Sequence, residues 1–338
     1  MLDSDLLDEG LLFLLNLIVG GKEMDVVTIG ETMVLFTPHN GQLRYASQYV
    51  RSFGGAESNV SIGLSRLGHQ AGWISAIGDD ELGKGMLSFI RGEGVDVSQV
   101  KIDPTAPTGI FFKEIRNSSD IRIQYYRKGS AASQLSKEDL DADYIAKAKY
   151  LHISGITPAL SESCCDMIFE AIKMAKEHGL KIVFDPNLRK KLWSEEQARD
   201  VLLKIAAEAD IVLPGVAEGE FLFGESDPET LGNRFLNHGA SVVILKVGAE
   251  GAYYFTNEES VLVPGFKVEQ VIDPVGAGDG FAAGFMSGVL DGLSLYEAVQ
   301  RGNAVGAIVT TVTGDVEGLP EKQEIERFIN KPADDVSR

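Results

Sequence analysis

Beyond residue 24 the chain alternates short β-branched apolar runs with stretches of helical period, and few folds accept that rhythm. Residues 72–77, 150–154, 181–185, 210–213 and 242–247 read as buried strands, with helical segments such as 161–177 and 195–209 between them. Strands that alternate with helices in this way pack as a parallel sheet covered on both faces. The run Asp25-Val26-Val27-Thr28-Ile29-Gly30 supplies the first strand. Two stretches, 31–53 and 108–128, break the rhythm with alternating apolar and polar positions, the pattern of half-exposed antiparallel strands. They predict a small β-flap set into the α/β core. From Gly276 onward the chain reads as mainly helical, over 281–290 and 295–311. No repeat, low-complexity tract or proline-rich linker divides residues 24–330, which predicts one large α/β domain with a lid, a three-layer sandwich followed by a short tail at 331–338.

Residues 1–23 do not share this pattern. Acidic polar residues lead into an apolar run at 11–19, broken by Asn16. A secretory signal needs a basic leader and a small-residue cleavage site, and a membrane span needs ~20 apolar residues. The segment has neither and is read as an extension outside the native fold. Charge narrows the partners. With 31 Lys plus Arg against 50 Asp plus Glu, the formal net charge of -19 repels nucleic acid and anionic membrane surfaces. The two cysteines, Cys164 and Cys165, are adjacent and point apart in any regular element, so a disulfide between them is not expected and a reducing, cytoplasmic setting is. Five histidines and no spaced Cys/His set argue against a zinc site.

Three glycine-rich segments need weighing for chemistry. Gly78-Asp79-Asp80-Glu81-Leu82-Gly83-Lys84-Gly85 has most of the P-loop spacing, but Gly85 stands where a magnesium-binding hydroxyl is needed and three acids lie where a phosphate would sit. It reads as a polar turn leading into a helix. The segment Asp273-Pro274-Val275-Gly276-Ala277-Gly278-Asp279-Gly280 is more informative. Gly276, Ala277 and Gly278 leave backbone N–H groups uncovered at a helix start, where the dipole favours an anion. Asp279 at the same turn is of use as an acceptor of a proton from an attacking hydroxyl. Phosphoryl transfer to an alcohol fits both features; a helix start built for close packing and a dinucleotide-binding turn are the other readings, although the latter normally opens a βαβ unit. The third segment, Phe53-Gly54-Gly55-Ala56-Glu57-Ser58-Asn59, lets backbone approach a ligand before a helix that Gly68 closes.

Together the early Gly-Gly…Asn and late Gly-Ala-Gly-Asp segments resemble the paired signatures of the ribokinase-like (PfkB) carbohydrate kinases, over nearly all of residues 24–330. The resemblance implies a ribokinase-like fold whose β-flap lies over the sugar, ATP as phosphate donor, Mg2+, and a homo-oligomer formed through the lid; it leaves open a monovalent cation such as K+ near Asp273. It makes Asp279 the catalytic base and Gly276, Ala277 and Gly278 the anion hole. Gly55 and Asn59 fall on the substrate side. On the nucleotide side fall Asn187, Lys246, Gly248 and Gly251 of the loop after a late strand, and Asn303. Glu218 keeps the acidic end of the family's Asn-x-x-Glu magnesium motif, whose asparagine is Gly215 here, and Pro274 replaces a frequent threonine.

Three further stretches bear on the substrate. The carboxylate that many family members carry soon after the first strand is replaced by Leu35, which fits a less hydroxylated or acidic substrate. On the flap, Tyr125 and Arg127 share one face of a strand, and a guanidinium matches a carboxylate by a two-point fork. Arg189, just past a strand end, can bridge substrate and γ-phosphate. These stretches resemble 2-keto-3-deoxygluconate kinases, in which the resemblance assigns Tyr125, Arg127 and Arg189 to the sugar acid; Phe111 stands where some members have a further tyrosine. A fructokinase or another sugar or nucleoside kinase of the family is the alternative.

Overall fold

The apolar runs expected to form strands are buried on both faces, a condition met by a sheet with helices above and below. In the computed structural model, which describes residues 23–117 and 120–330, that sheet has nine strands. Most of the expected extension and the whole tail lie outside the described residues. In chain order the strands are β1 (Met24–Ile29), β2 (Met33–Pro38), β3 (Tyr49–Gly54), β4 (Ala71–Gly78), β5 (Val100–Asp103), β6 (Ile110–Asn117), β7 (Asp120–Tyr126), β8 (Ala148–Ser154), β9 (Lys181–Asp185), β10 (Ile211–Val212), β11 (Val242–Lys246), β12 (Gly251–Phe255) and β13 (Ser260–Pro264). The large sheet runs β13-β12-β11-β10-β9-β8-β1-β4-β5, parallel from β11 to β5, with β12 and β13 antiparallel at one edge.

Alternation along each strand divides the core. Val27, Ile153 and Phe184 face Ile168, Leu202 and Phe235 of the helices Glu162–Glu177, Glu195–Glu208 and Pro228–His238. Val26, Val183 and Ile244 face Val60, Phe281, Phe285 and Val299 of the helices Ala56–Arg66, Ala277–Leu290 and Leu295–Val309. From β1 the chain proceeds to β4 on one side and later to β8 on the other. Such a reversal opens a crevice at the carboxyl ends of the strands, where open α/β sheets bind ligands.

The flap is a separate four-stranded sheet, β3-β2-β6-β7. The expected antiparallel pattern holds for β2 with β3 and for β6 with β7, but β2 and β6 pair in parallel. The chain passes through the main sheet between these two strands and re-enters the flap in the same direction, which local alternation does not encode. The P-loop-like segment is a capped helix start: Asp80 accepts the Gly83 N–H at 2.7 Å at the head of the helix Glu81–Gly92, and its carboxylate also accepts the Thr108 N–H and hydroxyl, each at 2.9 Å, just before β6.

Asp80→Ala removes both the cap and the tie to the flap entry, and is expected to lower unfolding free energy by about 1–2 kcal/mol in chemical denaturation. Burial opposes ionisation of Asp80, but the bonds from Thr108 and Gly83 outweigh it and hold its carboxyl below the ordinary value. Its contribution is therefore present above the unfolded-state pKa and fades as pH falls through the folded one, so the wild-type and variant curves converge in acid.

Candidate active site

The helix Ala277–Leu290 starts at the mouth of the crevice, because Gly276 adopts φ +84°, a left-handed turn that reverses the chain after Pro274. A side chain at Gly276 would also press on the backbone of Asp315, 2.9 Å from a would-be Cβ. The first amides of a helix have no carbonyl partner within it; that of Ala277 turns back to the Pro274 carbonyl at 3.4 Å, while those of 278 and 279, which border the crevice, have no carbonyl partner among the described residues. Asp279 sits in the first turn, and its Oδ2 accepts a 2.7 Å hydrogen bond from the side-chain amide of Asn59 on the facing helix. Burial pushes its pKa up to about 6; the Asn59 bond restrains the rise and the nearby Asp185 adds to it. A carboxylate so placed is ionised at neutral pH, yet close enough to its titration to take a proton.

Two cavities meet over this turn and share Lys246, Pro274 and Gly278. The first, of about 350 Å³, is lined by Gly55, Asn59, Tyr125, Arg127, Asn187, Arg189, Glu218, Gly276, Gly278 and Asp279. The second, of about 370 Å³, is mainly apolar and is lined by Gly248, Gly251, Phe266, Ala277, Phe281 and Asn303. Every candidate residue thus borders one cavity or the other, with the catalytic candidate in the first and the flat apolar slot beyond the anion hole in the second. Gly55 is required by close approach, since a Cβ there would collide with the carbonyl of Glu31. Asn303 donates to the carbonyls of Val263 and Pro264 at 3.0 and 3.2 Å, so its amide group holds the end of β13 as a wall of the slot.

The charged groups are almost all paired. Lys246 donates to Asp185 Oδ2 at 2.8 Å; burial works against the ammonium, but Asp185 and Glu218 outweigh it and raise its pKa. Glu218 accepts the N–H groups of Gly215 and Leu188 at 2.8 and 2.9 Å, and burial together with Asp185 raises its pKa. Asn187, with φ +35°, continues the turn by donating its N–H to Asp185. No group of three or more metal-ligating side chains occurs among the described residues. The donor set fits a divalent ion carried by phosphates and water, with Glu218 and Asp185 as its protein partners.

The flap departs from the expected free guanidinium. Arg127 is buried, and its Nε donates to Glu31 Oε2 at 2.6 Å, while Ser130 bonds the other oxygen of Glu31. Tyr125 stacks on Phe111 and lies under the guanidinium, 5.5 Å from the ring centroid. Glu31 also corrects the reading of the first strand: Leu35 is buried, but the carboxylate that its identity removes is supplied four residues earlier. Arg189 is exposed at the rim, with its field acting on Asp279 and Asp315.

Three buried ionisable groups escaped the sequence reading. Glu57 accepts hydroxyls from Ser154 and Thr157, leaves Oε2 without a partner, and is pushed up to about 7 by burial. His152 has neither ring nitrogen paired and is lowered to about 4 by burial, hence neutral. Lys113 of β6 lies buried between Asp273 and Asp315. Each sits in a segment whose local pattern is an ordinary strand or helix start, and the partners of Glu57 and Lys113 are remote in sequence.

Comparison with known proteins agrees with this geometry. Residues 23–322 match the pfkB family carbohydrate kinase model. The chain is 42% identical to a 2-dehydro-3-deoxygluconokinase of Bacillus subtilis, over 91% of this chain and 96% of that one, and 36% identical to a 2-dehydro-3-deoxygluconokinase of Thermoproteus tenax, over 91% and 97%. A fructokinase-1 of Zea mays is 34% identical, over 92% and 99%. Among solved structures, a PfkB protein of a Polaromonas species superposes with a TM-score of 0.82 at 41% identity, covering 90% of this chain and 99% of that one. An E. coli protein solved in complex with ATP and Mg2+ superposes with a TM-score of 0.84 at 30% identity, covering 90% and 99%. The chain belongs to the pfkB family of carbohydrate kinases.

Proposed function

We propose that the protein transfers the γ-phosphoryl group of ATP to the terminal hydroxyl of 2-dehydro-3-deoxy-D-gluconate, giving the 6-phosphate. The observation that carries the reading is the half-buried Asp279 carboxylate, held by Asn59 where a helix start joins a polar cavity to an apolar one. The polar cavity takes the sugar acid and the apolar slot takes the adenine. Asp279 accepts the hydroxyl proton as the substrate oxygen attacks the γ-phosphorus and the bond to the β-phosphate oxygen breaks, releasing ADP. The amides of 278 and 279 meet the charge on the phosphoryl oxygens, Lys246 and Arg189 flank it, and the lid excludes water that would otherwise hydrolyse ATP. Mg2+ carried by the nucleotide would screen the phosphate charge beside Glu218 and Asp185.

Arg127 and Tyr125, on the cavity face of the flap, are assigned to the keto-acid end, with Gly55 offering backbone contact. The two 2-dehydro-3-deoxygluconokinase relatives support this choice of substrate. A neutral ketose is the second reading, favoured by the Glu31 carboxylate that occupies one edge of Arg127. The lid also supports a homo-oligomer: Phe36, Tyr49, Phe112 and Tyr126 cluster on it, with both tyrosines exposed. A cytoplasmic setting is supported by the free thiols Cys164 and Cys165, and no helix among the described residues is long and apolar enough to cross a membrane.

Asp279→Asn is expected to lower kcat by about 10²–10⁴-fold while ATP still raises the melting temperature; near-normal turnover removes Asp279 from its role. For the wild type, kcat/KM should rise with pH as Asp279 loses its proton and level off above about 6, so a profile that falls over this range contradicts the base assignment. Arg127→Ala should raise KM for the keto-acid by about 10–100-fold and leave KM for ATP within about threefold. A coupled assay across keto-deoxy acids and neutral ketoses decides between the two substrate readings: preference for fructose over every acid favours the second.

A further inference from the structure

Lys113 is the only buried lysine among the described residues, at 0% exposure. It projects from β6 on the cavity side of the flap, the side shared by Phe111, and its Nζ donates to Asp273 Oδ2 and to Asp315 Oδ1, both at 2.7 Å. Neither acid is idle. Asp273 accepts the Val275 N–H at 3.1 Å through its other oxygen and the Gly314 N–H at 3.2 Å, so it clamps both the segment that enters the anion hole and the loop after the helix Leu295–Val309. Asp315 lines the polar cavity, packs against Gly54, and presents its backbone to Gly276. One ammonium therefore joins the lid, the anion-hole turn and the loop behind it.

Charge explains why a cation is needed at that point. Two buried carboxylates facing each other repel, and directly behind an anion hole they also oppose the phosphate. Burial works against the Lys113 charge, but Asp315 and Asp273 outweigh it and keep the ammonium protonated. We propose that Lys113 is a built-in cation of the phosphoryl-transfer loop: its tethered ammonium holds Asp273 and Asp315 so that the helix start at 276–279 keeps its place at the cavity, and it makes the enzyme independent of any dissociable K+ or NH4+. The position beside Asp273 at which a monovalent cation is expected is filled by the chain itself. Lys113 is a positioning residue, since it acts through the loop and lines neither cavity.

The inference rests on the kinase reading above, and the experiment separates the two. Wild-type turnover is measured with the best sugar of the panel in tetramethylammonium buffer, with and without about 100 mM K+. Less than about twofold change is expected, and activation of about tenfold or more overturns the proposal. Lys113→Met should lower kcat by about 10²-fold with little change in KM for the sugar, regain turnover on adding NH4+ or methylammonium, and lose less as Lys113→Arg. A Met variant that folds and turns over within about threefold of the wild type overturns it equally. A folded Met variant that loses turnover but is insensitive to added amines also overturns the cation role, because a purely structural lysine gives that result. Should Lys113→Met not fold, the wild-type cation titration decides by itself. Should no sugar support turnover, the functional reading fails, and the proposal is decided by the melting-temperature shift with ATP and Mg2+: a shift unchanged by K+ sustains it and a shift that needs K+ ends it.

Discussion

The hydrogen bond from Asn59 to Asp279 spans 220 positions in sequence, and much of the architecture serves to make it possible. A half-buried carboxylate loses part of its hydration and is drawn toward its protonated form unless a donor holds it ionised. One donor from the facing helix restrains the rise that burial and Asp185 cause, leaving a pKa of about 6. For the amide to reach, the helices Ala56–Arg66 and Ala277–Leu290 must approach closely, and they do so at Gly63, where a Cβ would lie 2.6 Å from that of Ala283. The same logic repeats behind the site. Gly280, Gly284 and Gly288, at four-residue spacing on one face, admit Val309, Val305 and Ala298 of the next helix, each within 2.8 Å of a would-be Cβ. The glycine-rich segment thus serves two ends: Gly276 and Gly278 expose amides, and the later glycines bring helices together. The packing reading holds for the later glycines, and the anion-hole reading is proposed for the earlier ones.

What was legible in the sequence follows from how local the determining pattern is. β9 and β11 stand out because a buried strand needs only a short β-branched run, and the anion hole stands out because its parts are consecutive. Asp279 could be named for the same reason. β12 and β13 were not among the expected strands, since β12 begins at a glycine and reads as part of the nucleotide loop, and the parallel pairing of β2 with β6 depends on the path of the chain between them. The two-residue period of a strand is enough to put Tyr125 and Arg127 on one face. The partner of Arg127 was not visible, because Glu31 lies 96 positions away in a segment that looks like a simple strand exit.

Buried charge is where local pattern reading is weakest. Lys113 follows the alternation of β6 like any solvent-facing lysine, yet the flap turns that face toward the core, and its partners are 160 and 202 positions distant. Removing one member of such a cluster leaves an uncompensated buried charge, at a cost of about 3–5 kcal/mol, whereas the intact cluster adds little net stability. Its presence is therefore better understood as fixing the arrangement of three segments than as holding the fold together. Glu57 differs, since a pKa raised to about 7 leaves it partly neutral, with Ser154 and Thr157 satisfying one oxygen and no charge partner required.

The acidic balance of the chain, -19 overall, persists inside the site. Glu31, Asp185, Glu218, Asp279 and Asp315 line the polar cavity with only Arg127, Arg189 and Lys246 against them. Two of those cations are already engaged, Arg127 by Glu31 and Lys246 by Asp185, which leaves Arg189 at the rim as the exposed one. Net side-chain charge cannot be what draws two anionic ligands into this crevice. Backbone amides can, because they add positive potential without titrating and without needing a counter-charge, and at a helix start they are already aimed. The side-chain ion pairs serve instead to hold the backbone still. Lys113 sets the turn from behind, Asp185 and Glu218 set the 185–188 turn and the Lys246 head, and Glu31 sets the flap arginine. Preorganised dipoles of this kind stabilise developing charge without reorganising at the moment of transfer, and that is the use to which a strongly acidic chain puts its few buried cations.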